Sequence, residues 1–363
     1  MRVREWLLPV TLVAALLLPA SARAQSAVSQ SAPPKWEIEP YGGLSLGRMS
    51  SGGSVVLPEP GAPITTSSPV FPSWRIPTWF LGDGTAFIND VASQFGLTNR
   101  ISGLDGALTA PGTQSLGLPL VGVRVRRAFG SRRAIEFGFD ALATNAKLSD
   151  SLAADVGAAQ SSFANTFSEL LATGPFTNGI VDASSSFTDG SSREIAVTGA
   201  LVGDLSPIKG WVPFYVVGAG VITPSGTPPT ATIEGRYRFT IAGSVRIDET
   251  DRATLRFTQR TVFAGVAGGG IYRPISRRWA VRIDARVLIG PSTTKTAVDA
   301  SPSVVVSTPA GFIESFTYPN LQFSNNPSTG RESTLSGSLS DFDAFKGGFQ
   351  LRGRLTIGAA VRF

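Results

Sequence analysis

The stretch Leu351–Phe363 (LRGRLTIGAAVRF) decides the fold, because its residues alternate between two chemically different sets. Every second residue from Leu351 onward is apolar or glycine, and the last of them is Phe363. The residues between them include three arginines and a threonine. Side chains of a β-strand alternate between two faces. This pattern therefore predicts a strand with one apolar and one charged face.

Seven further segments have the same period of two, and all eight are 12 to 15 residues long. A tilted strand needs about 9–11 residues to cross a bilayer. Each segment is therefore long enough to span a membrane as a strand. The eight segments are Trp36–Arg48, Leu116–Phe129, Arg133–Ala146, Arg193–Asp204, Trp211–Ile222, Thr261–Tyr272, Trp279–Gly290 and Phe349–Phe363.

The connections alternate between short and long. The short ones are Gly130–Arg132, Leu205–Gly210 and Arg273–Arg278, and the long ones are residues 49–115, 147–192, 223–260 and 291–348. Transmembrane barrels combine short periplasmic turns with long external loops. We therefore predict an all-β fold over residues 36–363. It is a closed, antiparallel, up-and-down transmembrane β-barrel of eight strands, with long external loops that carry short helices.

The third long loop leaves the strand count open. Ala231–Ile247 and Ala253–Arg260 alternate like strands around an acidic stretch, Asp248–Asp251, which we interpret as a turn. We expect these segments to form a hairpin above the membrane. A ten-stranded barrel is the alternative.

The N-terminus has the features of a secretory signal peptide. Met1–Arg4 is basic, Leu7–Ala20 is apolar, and Ala22-Arg23-Ala24 offers a cleavage site. We expect residues 1–24 to direct Sec-type export and residues 25–35 to form a short periplasmic stub.

Composition excludes most enzyme mechanisms. The 363 residues contain no cysteine and no histidine, so thiolate metal sites, cysteine nucleophiles and histidine acid–base catalysis are absent. The glycine-rich Gly265–Gly270 lies in a strand with no following helix, so we interpret it as relief of crowding and not as a phosphate loop. We expect no enzymatic activity, no cofactor and no metal site.

Charged residues on the polar faces are expected to point into the barrel. Reflection about the centre of the first short turn places Arg126 opposite Glu136, and closing the barrel places Arg362 near Glu37 and Glu39. Confined charges need partners, so we expect a structural ion-pair network. The alternative is a gated pore, lined by surplus arginines, that mildly favours anions. The predicted members are Glu37, Glu39, Arg124, Arg126, Glu136, Asp140, Arg282, Asp284, Arg286, Arg352, Arg354 and Arg362.

Aromatic residues cluster where strands meet the short turns. Aromatic rings prefer the membrane interface, so these residues are expected to form one aromatic girdle. They are Trp36, Phe129, Trp211, Trp279 and Phe363.

Two loop segments have a helical apolar period. Thr85–Gly96 would place Phe87, Val91 and Phe95 on one face. A second helix, over residues 152–171, would bury one long apolar face. We expect the two helices to pack on each other as a cap. Alternatively, they fold into the barrel mouth or bind a partner. The second face comprises Leu152, Val156, Ala159, Phe163, Phe167, Leu170 and Leu171.

The C-terminal stretch Leu351–Phe363 resembles the β-signal of bacterial outer-membrane proteins, and the strand layout is similar to the eight-stranded barrels of the outer membrane protein A-like family. The resemblance implies an outer-membrane location in a Gram-negative-type envelope. It also implies contact with outer-membrane lipid and lipopolysaccharide, and recognition by the barrel assembly machinery through Leu355, Ile357, Val361 and Phe363. The loops are far longer than in a minimal family member, and we expect no peptidoglycan-binding domain after the barrel.

The charge distribution indicates which partners to expect. The chain has a net charge of +6, while the four long loops hold 12 basic and 18 acidic residues. Its basic residues would lie inside the barrel and at turns, so nucleic-acid binding is not expected. We expect a monomeric, non-catalytic protein. Its large acidic surface loops would serve envelope integrity, adhesion or ligand binding. A small gated pore for passive transport of small solutes is the alternative.

Overall fold

The computed structural model describes residues 36–46, 49–51, 78–109, 112–115, 119–144, 146–241, 243–309, 311–317 and 349–363. The predicted signal peptide and periplasmic stub lie outside this part of the chain. No helix among the described residues is both long and apolar enough to cross a membrane.

Strands dominate the described chain. In order, the elements are β1 (Trp36–Leu46), β2 (Met49–Ser51), α1 (Gly82–Gln94), α2 (Asp105–Thr109), β3 (Thr113–Ser115), β4 (Pro119–Ala128), β5 (Arg133–Thr144), β6 (Lys147–Leu148), α3 (Asp150–Thr173), β7 (Phe176–Thr188), β8 (Ser191–Asp204), β9 (Val212–Thr227), β10 (Thr230–Ile241), β11 (Val245–Gln259), β12 (Val262–Pro274), β13 (Trp279–Pro291), β14 (Thr294–Ala300), β15 (Ser303–Thr308), β16 (Gly311–Thr317) and β17 (Phe349–Arg362).

Eight of these strands form a closed antiparallel barrel in the order β1-β17-β13-β12-β9-β8-β5-β4. Each of the eight predicted segments corresponds to one barrel strand, so the predicted fold class is confirmed. The barrel closes between its first and last strands, where the Trp36 amide donates to the Phe363 carbonyl at 3.1 Å and the Phe363 amide donates to the Trp36 carbonyl at 3.0 Å. Closure removes the two free edges that an open sheet would expose.

The described parts of the long connections fold into a second unit at one end of the barrel. Strands β16-β15-β11-β10-β7 form a sheet, with β14 also paired to β11, and α3 packs against β7 and β10. We call this unit, with helices α1 to α3, the head. The barrel end that carries the head is the loop end, and the end with the short connections is the turn end.

The predicted ten-stranded alternative is wrong, because β10 and β11 pair with each other and with head strands. The predicted acidic turn is also wrong. Residues 243–244 lie at the turn, while Asp248–Asp251 lies inside β11. Charge alone suggested an exposed turn, but β11 alternates its side chains. As a result, Glu249 and Asp251 face the head core.

The two predicted loop helices exist, and one predicted face is correct. Every residue predicted on the apolar face of the second helix is buried in α3. In α1 the buried hydrophobic residues are Ile88 and Ala92, whereas Phe87, and Phe95 directly after the helix, are exposed. The face is thus rotated by about one residue, and Phe87 stacks on Trp79 with ring centroids 6.2 Å apart. Both helices contribute to one core that includes the head sheet, so they do not form a cap by themselves.

Candidate functional site

The outward side of the barrel is apolar and uncovered. Val123 is 38% exposed, Phe137 64%, Ile283 36% and Ile357 58%. Their neighbours along the same strands point inward and are charged and buried, as in Arg124 and Glu136. A soluble barrel would normally place these two sets the other way round. The surface is therefore suited to lipid.

The middle of the lumen is centred on Glu136, which is 1% exposed. Its carboxylate contacts Arg282 Nη1 at 2.7 Å and Arg286 Nη1 at 2.7 Å. Arg282 also reaches Glu39 at 3.2 Å, and Glu39 contacts Arg124 at 3.3 Å. These five side chains come from β1, β4, β5 and β13, so the contacts cross the lumen.

Asp284 forms the second centre of the same network. It accepts from Arg124 Nη1 at 2.7 Å, from Arg286 Nη2 at 2.9 Å and from the Thr356 hydroxyl at 2.6 Å. Arg282 Nε also lies 3.4 Å from this carboxylate, so three cations and one hydroxyl compensate one buried negative charge. Such multiple pairing is what allows charges to remain buried.

Both ends of the lumen continue the pattern. Toward the loop end, Arg354 pairs with Asp140 and with Glu194, the latter at 3.2 Å, and Arg352 lies 3.5 Å from Glu194.

At the turn end, Arg126 contacts Asp204 at 2.7 Å and Glu37 at 3.7 Å. Arg362 contacts Glu37 at 2.6 Å, and the Tyr272 hydroxyl donates to Asp204 at 3.1 Å.

All twelve predicted lumen residues thus lie in the barrel interior, but the predicted partners are only partly correct. Arg126 is opposite Glu136 in the strand register, as expected, yet the two side chains pair with other residues. Glu37 and Arg362 do pair, whereas Glu39 pairs with arginines of β4 and β13. Long arginine side chains reach across a narrow barrel, so register neighbours need not be ionic partners.

Two acidic members, Glu194 and Asp204, were absent from the prediction. Their even positions in β8 match those of buried Ala196 and Ala200, so the alternation could have identified them. With them, the described lumen holds seven arginines and seven carboxylates in the ion pairs above. The expected surplus of arginines is therefore wrong, and a preference for anions loses its basis.

One wall of the lumen is free of charge. The described strands β9 and β12 direct only apolar residues, glycine and Tyr272 inward, including Gly268 and Gly270. A Cβ on Gly268 would lie 3.0 Å from Cγ of Arg286, and one on Gly270 would lie 2.6 Å from Cβ of Asp284. The glycines leave the space that the network occupies, in line with the interpretation of Gly265–Gly270 as relief of crowding.

The predicted aromatic residues all lie at the turn end. Trp36, Phe129 and Phe363 are exposed, and Trp211 and Trp279 are half-buried. The girdle role of these residues remains a prediction. In the final strand, Leu355, Ile357 and Phe363 are exposed and Val361 is half-buried, and recognition by an assembly machinery remains a prediction.

The head sheet has a polar outer face opposite its core. A groove of about 290 Å³ crosses β7, β10 and β11 on this face. The hydroxyls of Thr232 and Thr254 lie 3.2 Å apart, and Arg252 Nε donates to Glu234 at 2.8 Å. The lining residues are Ser184, Ser186, Thr232, Glu234, Arg252 and Thr254.

No family model and no curated protein matches the sequence. Among solved structures, the outer membrane protein OprG from Pseudomonas aeruginosa is similar with a TM-score of 0.35 and 8% identity, over 91% of this chain and 97% of that chain. An outer membrane channel from Pseudomonas putida F1 has a TM-score of 0.23 and 9% identity, over 94% and 100%. A FadL homologue from Pseudomonas aeruginosa has a TM-score of 0.16 and 8% identity, over 90% of each chain. The fold assignment rests on the strand pairing of this chain, which forms a closed antiparallel barrel of eight strands.

Proposed function

We propose that this chain is a non-catalytic, integral outer-membrane β-barrel whose lumen is closed and whose head is the functional part. The head would face the exterior and serve ligand binding, adhesion or envelope integrity. The observation that carries the proposal is that the barrel has an apolar outer surface and an interior filled by paired charges, the opposite of a soluble barrel.

The balanced network favours a closed lumen over a pore. An eight-stranded barrel is only wide enough for its side chains to fill it. In the described lumen each arginine of the network has a carboxylate partner, and breaking one buried pair costs about 3–5 kcal/mol. Opening a path for ions would break several pairs at once, so a small gated pore is the less favoured candidate.

The polar groove of the head gives the ligand-binding part of the proposal a location. Its arginine is paired with a glutamate, so the groove has no excess charge from these residues. Hydroxyl-bearing neutral ligands fit this surface better than phosphates do. In the membrane, the barrel would contact lipid and lipopolysaccharide, after export and insertion by the assembly machinery.

Cysteine labelling of intact cells tests the orientation, because the chain has no native cysteine. A Ser93→Cys variant places the thiol on the exposed side of α1, and a matched Ser131→Cys variant places it in the first short turn. We expect a membrane-impermeant maleimide to label the first variant on intact cells. The second variant should react only after the outer membrane is permeabilised. The opposite order, or release of either variant with the periplasm, contradicts the proposal.

Planar-bilayer recording tests lumen closure. We expect no stable unitary conductance from folded, heat-modifiable wild-type protein. An Arg354→Ala variant, which removes the cation that pairs with Asp140 and Glu194 toward the loop end, should admit more ions than wild type. Regular unitary steps from wild-type protein, with an ion selectivity that changes in this variant, would instead support the pore.

A further inference from the structure

Two carboxylates lie on the core side of the head sheet. Glu249 is 2% exposed and Asp251 is 0% exposed. Glu249 accepts from the Trp79 indole nitrogen at 2.6 Å and from the Tyr237 hydroxyl. Asp251 accepts from the Thr78 hydroxyl at 2.9 Å and from the Trp79 amide at 2.7 Å.

These bonds attach the first long loop to the third. Residues 78–81 are all buried, and α1 begins directly after them. The Thr85 hydroxyl donates to the Trp79 carbonyl at 2.8 Å, so the first turn of α1 is held by the same segment. The ring of Trp79 packs 6.0 Å from Phe167 of α3. Trp79 therefore joins β11, α1 and α3.

Neither carboxylate has a cationic partner in the described structure. Asp248, on the opposite face of the same strand, pairs with Arg236 and Arg246, which shows how the exposed side is compensated. Asp251 Oδ1 has no hydrogen-bond partner among the described residues. Two buried, uncompensated carboxylates two residues apart repel each other whenever both are ionised.

Among the described residues, the groups that face this pair contribute no positive charge. From β10 comes Tyr237, and from the preceding loop come Thr78 and Trp79. The α3 helix packs the rings of Phe163 and Phe167 against Tyr237. Val304 of β15, which lies opposite Glu249 in the strand register, and Thr85 of α1, which bonds to Trp79, are also uncharged.

We propose that Glu249 and Asp251 form a protonation-dependent latch that fixes residues 78–81, and with them α1, to the head sheet. The latch is closed when the carboxylates are protonated and loosens when they ionise. Protonated carboxyls need no counter-ion, whereas ionised ones gain hydration when the segment detaches.

The pKa values of the two carboxyls determine over which pH range the latch loosens. Burial raises the pKa of Glu249 to about 8 and that of Asp251 to about 7. A carboxyl whose pKa is raised in the closed state stabilises that state fully below its ordinary pKa, near 4. This stabilisation is lost as pH rises through the raised value. The latch is therefore strongest in acid and weakest above about pH 8.

Amide hydrogen exchange of the full-length protein tests the latch. Protection factors, corrected for intrinsic exchange at each pH, are measured for peptides within residues 78–109. The barrel strand β5 serves as the internal reference. Each carboxyl changes the opening constant by up to about tenfold per pH unit between its two pKa values. We expect protection of residues 78–109 to fall at least about tenfold between pH 6 and pH 8, with β5 unchanged.

Variants identify the groups responsible. Glu249→Gln and Asp251→Asn should each reduce the pH dependence, and the double variant should abolish it. The matched control is Asp248→Asn, which removes a carboxylate from the other face of β11 and should retain the wild-type dependence.

Each other result decides against the latch. If the protection factors of residues 78–109 in the wild-type protein change less than twofold between pH 6 and pH 8, the latch is overturned. This measurement uses only the wild-type protein, so it does not depend on any variant folding. Unchanged pH dependence in the double variant also overturns the latch, as does loss of the dependence in Asp248→Asn.

Discussion

Replacing Glu136 with glutamine tests how the lumen is held together. The side chain is 1% exposed and contacts Arg282 and Arg286 at 2.7 Å each. Glutamine keeps the shape but leaves two buried guanidinium groups without their shared carboxylate. Removing one partner from a buried ion pair costs about 3–5 kcal/mol. With a urea slope of roughly 2 kcal/mol per molar, the unfolding midpoint should fall by about 2 M.

The assay is urea unfolding of the protein in detergent, in which heat-modifiable gel mobility reports the folded fraction at each urea concentration. An Asp299→Asn variant is the control, because its ion pair with Arg256 at 2.6 Å is exposed and should contribute less than about 1 kcal/mol. Adding Arg286→Met to Glu136→Gln should restore part of the loss, because one uncompensated cation is removed. A midpoint shift below about 0.5 M for Glu136→Gln would refute the argument that the lumen charges depend on each other.

Four other regions give separate predictions. Gly270→Val should prevent barrel formation, seen as loss of the heat-modifiable band, because even a Cβ at this position would lie 2.6 Å from Cβ of the facing aspartate. Phe163→Ala should destabilise the head by about 3–5 kcal/mol, measured by proteolysis of the head while the barrel band persists. Ile357 lies on the outward face and is 58% exposed, so Ile357→Arg should lower the free energy of unfolding from lipid bilayers by about 2–4 kcal/mol. An unchanged free energy of unfolding from vesicles would contradict a lipid-facing surface. Hydrogen bonds from the backbone amides of residues 98–99 lower the pKa of Glu169 to about 2. The attachment of residues 98–99 to Glu169 should be retained above about pH 4.5 and lost as pH falls toward 2. This pH dependence is opposite in sign to that of the latch. Hydrogen exchange of the two backbone amides measures it.

The barrel could be predicted from sequence because lipid imposes a simple rule. Each strand must expose apolar side chains at every second position, so the period of two identified all eight barrel strands. The same alternation places residues such as Arg124 and Arg354 in the lumen. Loop length also followed from sequence, because short turns and long connections alternate along an up-and-down barrel.

The head could not be derived in this way, because its strands and helices are stabilised by contacts between different loops. Glu249 and Asp251 were interpreted as part of a turn, since nothing local reveals that Thr78 and Trp79, about 170 residues earlier, supply their hydrogen bonds. The buried face of α1 was also misplaced for this reason.

Sequence by itself therefore determined the barrel and which side chains point inward, because local periodicity encodes the choice between lipid and lumen. The choice between eight and ten strands needed the strand pairing. Only the tertiary structure decided which lumen charges pair, that they balance, and that the four loops share one core. Those properties depend on distances across the barrel and between loops. The order of residues along one strand does not determine which distant side chains come within contact distance.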